Sequence, residues 1–210
     1  MTAAERVQKL FDAERTVRAL HGELLREDSK ALLAAVTPAA REALASKDEA
    51  EAVVRLVRVA ELLAEVPGDE ATDLLVDILG TEHGEARLSA GEALAERGYS
   101  RFKELALAVE RALDRLPPTS VALEELPYLL AEIPEPGVTK LLGRFLALDS
   151  AEAVSAAVEA LVEVGDPAGA KLLAQLEKDS RTVSVAGDAT ITIGELAREA
   201  GELLRRVRAE

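Results

Sequence analysis

The sequence predicts an all-α chain of stacked helical hairpins, and three observations carry that prediction. The first is a repeat with a period of 67 residues: Glu61-Leu62-Leu63-Ala64-Glu65-Val66-Pro67 recurs as Tyr128-Leu129-Leu130-Ala131-Glu132-Ile133-Pro134. The register continues without a gap. Thr72 falls on Thr139, Leu74 and Leu75 on Leu141 and Leu142, Leu79 on Leu146, and Glu85-Ala86 on Glu152-Ala153. Glu92-Ala93-Leu94 then falls on Glu159-Ala160-Leu161, and Gly98 on Gly165. Agreement that long marks a repeated structural unit. The second observation is composition. Hydrophobic residues make up 49% of the 210 and aromatics only 2%, with no Trp, so the core is built from Leu, Ala, Val and Ile. Ala and Leu are among the best helix formers. The third is punctuation: each helix stop is followed closely by a new cap, and connections that short place successive helices side by side and antiparallel.

Taken in order, Val7, Leu10, Phe11, Val17, Leu20 and Leu24 lie at helical spacing and predict an amphipathic helix over 3–26. A second helix starts after Asp28-Ser29. Thr37-Pro38 offers an N-cap followed by proline at the first helical position, so a bend is expected there before 39–46. From Asp48 the alternation becomes regular. Helix 49–66 ends at Pro67-Gly68-Asp69, which opens 70–79. After Gly80 comes 85–97, and Gly98-Tyr99-Ser100 separates it from 101–115. Pro117-Pro118 breaks the chain, and Thr119 or Ser120 caps a helix running to Ile133. Pro134-Glu135-Pro136-Gly137 leads into 138–148, Asp149-Ser150 caps 151–164, and Gly165-Asp166-Pro167 opens 168–178. The period therefore holds two hairpins of roughly 30–36 residues each.

Residues 181–193 change character. Val183 and Val185 alternate with Thr182 and Ser184, and Ile191 and Ile193 with Thr190 and Thr192, around Gly187-Asp188. This predicts a β-hairpin inserted before the last helix. Thr192 and Glu195 then form a capping box for helix 194–207, and Arg205, Arg206 and Arg208 suit its carbonyl end. The domain organisation is one unit. Capping helices occupy 1–47, regular repeats 48–180, the hairpin 181–193 and a C-terminal capping helix 194–210. The N-terminal stripe has two readings, covering the first repeat or pairing with another chain. The hairpin also has two, closing the last interface of the stack or offering a strand edge to a partner.

The repeat resembles HEAT repeats, in particular the short bacterial kind related to phycobilin-lyase subunits. Their motif is a first helix ending in Ala-Leu-x-x-x-Gly-Asp-Pro and a second opening with Leu-Leu. Ala160-Leu161-Val162-Glu163-Val164-Gly165-Asp166-Pro167 followed by Leu172-Leu173 matches it best. Ala93-Leu94 through Gly98 is a copy without the Asp-Pro, and Leu62 through Pro67-Gly68-Asp69 is a copy with Pro and Gly exchanged. The resemblance covers residues 48–180 and, more faintly, 28–47. It implies an armadillo-like, right-handed α-solenoid of about five hairpins, a fold that serves many unrelated roles.

Composition narrows function by exclusion. A formal charge of −14 is repelled by phosphate backbones and anionic lipid, so neither nucleic acid nor a membrane surface is expected as a partner. No cysteine is present, which removes disulfides, thiolate metal sites and cysteine nucleophiles. The N-terminus carries charges where a signal peptide needs its apolar core, and no run of about 18 apolar residues occurs, so a cytoplasmic location is the simplest expectation. His83 lies between Glu82 and Glu85 without a second nitrogen ligand nearby, and His21 sits on the first helix. Both read as surface histidines. No phosphate loop or nucleophile motif appears, so no catalytic residue, metal or cofactor is expected.

What remains is surface. The residue before each Leu-Leu pair, or its equivalent, is Asp73, Glu104, Lys140 and Lys171 in turn, and four residues later come Asp77, Ala108, Arg144 and Gln175. Residues four apart share a helix face, so these would form a ridge graded from negative to positive. One reading is that the ridge orients a protein partner; the other is an ordinary solvated helix surface. Tyr128, which stands where Glu61 stands one period earlier, is either an interface anchor or a core residue. The function expected is a non-enzymatic protein-binding adaptor. The alternative, drawn from the resemblance, is a chromophore-lyase-like subunit holding a small ligand in its groove.

Overall fold

The computed structural model describes residues 1–185 and 189–207, and the protein is mostly helical. The described residues form α1 (Ala3–Leu24), α2 (Ser29–Leu44), α3 (Glu49–Glu65), α4 (Asp69–Leu79), α5 (Gly84–Arg115), α6 (Val121–Ala131), α7 (Val138–Phe145), α8 (Ala151–Val164), α9 (Gly169–Leu173) and α10 (Ile193–Val207). Strands β1 (Thr182–Val185) and β2 (Ala189–Thr192) precede α10. The predicted hairpin turn at Gly187-Asp188 and the predicted Arg208 lie outside the described residues.

The sequence register reappears as burial. Leu63 and Leu130, Leu75 and Leu142, Leu94 and Leu161, and Ala86 and Ala153 are all fully buried, and Ile78 and Phe145 occupy one further equivalent pair. Even the polar member of the repeat is inside in both copies, as Thr72 and Thr139. Packing follows chain order. α2 lies on α3, α3 on α4 and α5, α4 on α5, α6 on α7 and α8, and α10 on α8 and α9. One apolar cluster runs from Leu32 in α2 to Leu204 in α10. α1 contributes nothing to it and buries none of its residues, so α2 rather than α1 covers the first repeat.

Several expected boundaries move, α6 ending at Ala131 and α7 at Phe145 among them, and three stand out. α2 runs through Pro38 as one helix rather than ending there, because Leu32, Val36, Ala40 and Ala43 form one buried stripe against α3. Thr37 does not cap a new helix; its hydroxyl donates to the Leu33 carbonyl at 2.8 Å. Gly98 does not end its helix, whereas Gly165 ends α8 in the left-handed conformation (φ 69°). The difference is the following residues: Asp166-Pro167 stops the ladder after Gly165, while Tyr99-Ser100 carries no such stop. α5 instead breaks at Arg101 (φ −147°, ψ 49°). Gly98 is needed for space, since a Cβ there would collide with Ile133 and press on Leu105. The third shift is α9, which is short and tightens into a 3₁₀ turn over Ala174–Leu176.

The hairpin pairs Val183 with Ile191 in antiparallel register. Val183 is buried in the common cluster, β1 packs on α8, and β2 on α10. Arg181 anchors its start by donating from Nη1 to the carbonyls of Leu148 (2.7 Å) and Asp149 (2.9 Å). The capping box forms as expected: the Glu195 N–H donates to Thr192 Oγ1 at 3.1 Å, and the Thr192 N–H to Glu195 Oε2 at 3.0 Å.

Candidate functional site

Most of the charge of the predicted ridge residues is used inside the chain. On α4, Asp73 receives two hydrogen bonds from Arg111 Nε and one from Nη2, all at 2.9–3.0 Å, and Asp77 pairs with Arg115 at 2.6 Å. One helix along, Arg144 on α7 approaches Glu110 (3.6 Å) and Asp114 (3.8 Å) of α5. The gradient is thus a ladder of ion pairs stitching α4 to α5 and α5 to α7. Lys140 and Lys171 are exposed. Such half-exposed pairs are worth little each, so Arg111→Ala should cost no more than about 1 kcal/mol in urea unfolding, less again in high salt.

Glu104 leaves the ridge entirely. Its carboxylate accepts from the Gly68 N–H (3.1 Å), the Thr72 hydroxyl (2.7 Å) and the Arg97 guanidinium. Arg97, on α5, is 2% exposed and its Nη2 donates to the carbonyls of Leu63 (2.6 Å) and Val66 (2.8 Å) at the end of α3. Burial pushes the Glu104 carboxyl up, but the hydrogen bonds from Thr72, Arg97 and Gly68 together hold it below the ordinary range. This is a structural clasp. A trace of it is visible in the repeat: Arg97 stands where Val164 stands one period later, a charge at an otherwise apolar position, and Glu104 stands where Lys171 does.

Tyr128 lies elsewhere, on α6, and joins two adjoining open grooves. The first, roughly 450 Å³, lies between the first half of α5 and α6, with Leu79, Leu88, Ala95 and Leu129 as its apolar lining and Arg87, Glu92, Glu125 and Glu132 among its polar residues. The second, roughly 360 Å³, continues across α8 to β1, lined by Glu124, Glu125, Glu152, Ser155, Glu159 and Ser184. Leu88 is 65% exposed and Tyr128 41%. The Tyr128 hydroxyl donates to Glu159 Oε2 at 2.8 Å, and the neighbouring Tyr99 hydroxyl to the Glu132 carbonyl at 2.8 Å. Burial, then the Glu159 acceptor and nearby carboxylates, keep the Tyr128 phenol protonated well above its usual range. Burial, then Glu152 and Glu125, raise the Glu124 carboxyl, with Arg87 acting against them. Arg87 approaches Glu125 at 3.6 Å and, among the described residues, is the one cation lining these grooves.

Sequence reasoning missed this groove, apart from Tyr128. Leu88 is the available signal, because it lies off the buried stripe Ala86, Ala90, Ala93 and Leu94 of its own helix. His83 takes the N-cap position of α5 without a side-chain bond to the helix, and His21 is on α1. Among the described residues no three acidic or histidine side chains converge as a metal site, and no helix is long and apolar enough to cross a membrane.

No protein-family model matches the chain, and no curated protein matches it. Among solved structures, an engineered protein from the Northeast Structural Genomics Consortium is similar at 20% identity, over 89% of this chain and 97% of that one, with a TM-score of 0.36.

Proposed function

We propose that this chain is a non-enzymatic protein-binding scaffold whose hairpins stack as a right-handed α-solenoid of about five HEAT-like units. Packing in chain order and the recurrence of buried positions every 67 residues support the stack. The binding role rests on the groove joined by Tyr128. Exposed Leu88 and Tyr128 give an apolar anchor somewhere to dock. The carboxylate rim favours a partner segment whose apolar residue is flanked by Lys or Arg. The ridge is the weaker candidate, because Asp73, Asp77 and Arg144 already have partners. A chromophore-holding role draws less support, since both tyrosine hydroxyls are committed and neither histidine lines the groove.

The test is affinity capture from lysate, identification of the partner, and titration of that partner against two double variants. Leu88→Glu with Tyr128→Ala should weaken binding about tenfold or more. Lys140→Glu with Arg144→Glu should change it little. The reverse pattern moves the function to the ridge. No partner, together with a visible absorbance change on adding a bilin, overturns the scaffold reading.

A further inference from the structure

Among the described residues, α1 carries an apolar face that is left exposed. Val7, Leu10, Phe11, Leu20 and Leu24 are 39–59% exposed, and no residue of this 22-residue helix is buried. Helices in proteins owe most of their stability to packing of such a face. Leu10, Val17 and Leu24 recur every seven residues with Ala13 and Leu20 between them, which is the spacing of a two-helix seam.

We propose that α1 pairs antiparallel with α1 of a second copy, making the protein a homodimer. Charge selects both partner and direction. Residues 1–24 carry four cations (Arg6, Lys9, Arg15, Arg18) and four anions (Glu5, Asp12, Glu14, Glu23), a sum of zero, so the whole charge of −14 lies in residues 25–210. Outside α1, two copies therefore carry a large like net charge that opposes their approach, whereas α1 itself adds none. An antiparallel pair holds the acidic bodies at opposite ends of a helix about 33 Å long. That is several Debye lengths, which are about 8 Å at physiological ionic strength.

In this register Leu10 of each copy meets Leu20 of the other, and Ala13 meets Val17. Lys9 of each copy then lies beside Glu23 of the other. The ion pairs of α1 are Met1–Glu5 and Asp12–Arg15, which leaves Lys9 and Glu23 unpaired among the described residues. One like-charge approach remains at the centre, where Glu14 meets Glu14. A parallel pair would instead set Glu14 against Lys9 of the other copy, so Glu14 reports the direction.

Sedimentation equilibrium of the full chain tests the pairing. The expected mass is twice 22.3 kDa. Leu10→Glu with Leu20→Glu should return it to the monomer while the urea unfolding of the body is little changed, since α1 contributes no residue to its apolar cluster. Lys9→Glu should weaken the dimer about tenfold or more, and Lys9→Glu with Glu23→Lys should restore it. Glu14→Gln should tighten it. A monomer at all concentrations, or a dimer that survives Leu10→Glu with Leu20→Glu, overturns the proposal. So does a monomer whose α1 stripe captures a different protein or anionic phosphatidylserine vesicles. Loosening by Glu14→Gln overturns the antiparallel direction.

Discussion

Replacing Arg97 with methionine should cost the fold about 3–5 kcal/mol, the loss expected when one member of a buried charged pair is removed. Four of the five guanidinium N–H groups have partners: Thr72 and Glu104 on Nη1, and the Leu63 and Val66 carbonyls on Nη2. The two carbonyls belong to the last turn of α3, where the helix leaves acceptors unmet and the dipole is negative. One side chain from α5 thus caps α3, and through Glu104 it holds the Gly68 N–H that opens α4. Methionine fills the space but leaves Glu104 without its cation and the carbonyls without donors. The urea midpoint should fall with the slope unchanged. Adding Glu104→Met to Arg97→Met should recover part of the loss, because an apolar pair carries no stranded charge; a further additive loss would show that the two side chains act independently.

The same clasp sets a pH dependence. The Glu104 carboxyl titrates lower in the folded chain than in the unfolded one, so its contribution is complete above the ordinary glutamate range. It is lost as pH falls through the folded value. Acidification from neutrality through pH values below about 4.5 should therefore destabilise the native chain more than Glu104→Gln.

Arg97 also shows where a sequence stops being legible. Repetition and helical period locate what points inward, because burial is a property of one helix face. Leu63, Leu75 and Leu94 and their equivalents all lie where the register puts them. Local stops are legible too when their chemistry is complete: Ser150 caps α8 and Gly165 ends it, whereas Gly98, lacking the Asp-Pro, does not end its helix. Partners supplied by another helix are different. Asp73 finds Arg111, 38 residues away, and Arg97 finds Leu63, 34 residues away. No periodicity within one helix encodes those meetings, so a ridge that reads as free charge becomes a ladder of ion pairs. The groove escapes for the same reason. Leu88 is an off-stripe leucine until α6 is set beside α5 with Tyr128 facing it.

Phe145→Ala should be comparably costly, about 3–5 kcal/mol, which for a chain this size lowers Tm by on the order of 10 °C. Phe145 is fully buried on α7, which packs on α5, α6, α8 and α9. The other aromatics of the chain are partly or largely exposed, so this ring is the largest apolar side chain in a core otherwise made of Leu, Ala, Val and Ile. Its loss opens a cavity beside a helix held against four others, which limits how far the site can close. The repeat provides the control. One period earlier the same position is Ile78, also fully buried, so the chain already contains a second solution to that site. Phe145→Ile should lose less than about half as much as Phe145→Ala, since a branched side chain retains most of the contacts. The reverse exchange, Ile78→Phe, forces extra volume into a closed site and should cost about 1–3 kcal/mol. If Phe145→Ile proves as damaging as Phe145→Ala, the two positions are equivalent in sequence but not in packing. The 67-residue register would then describe helix phase alone.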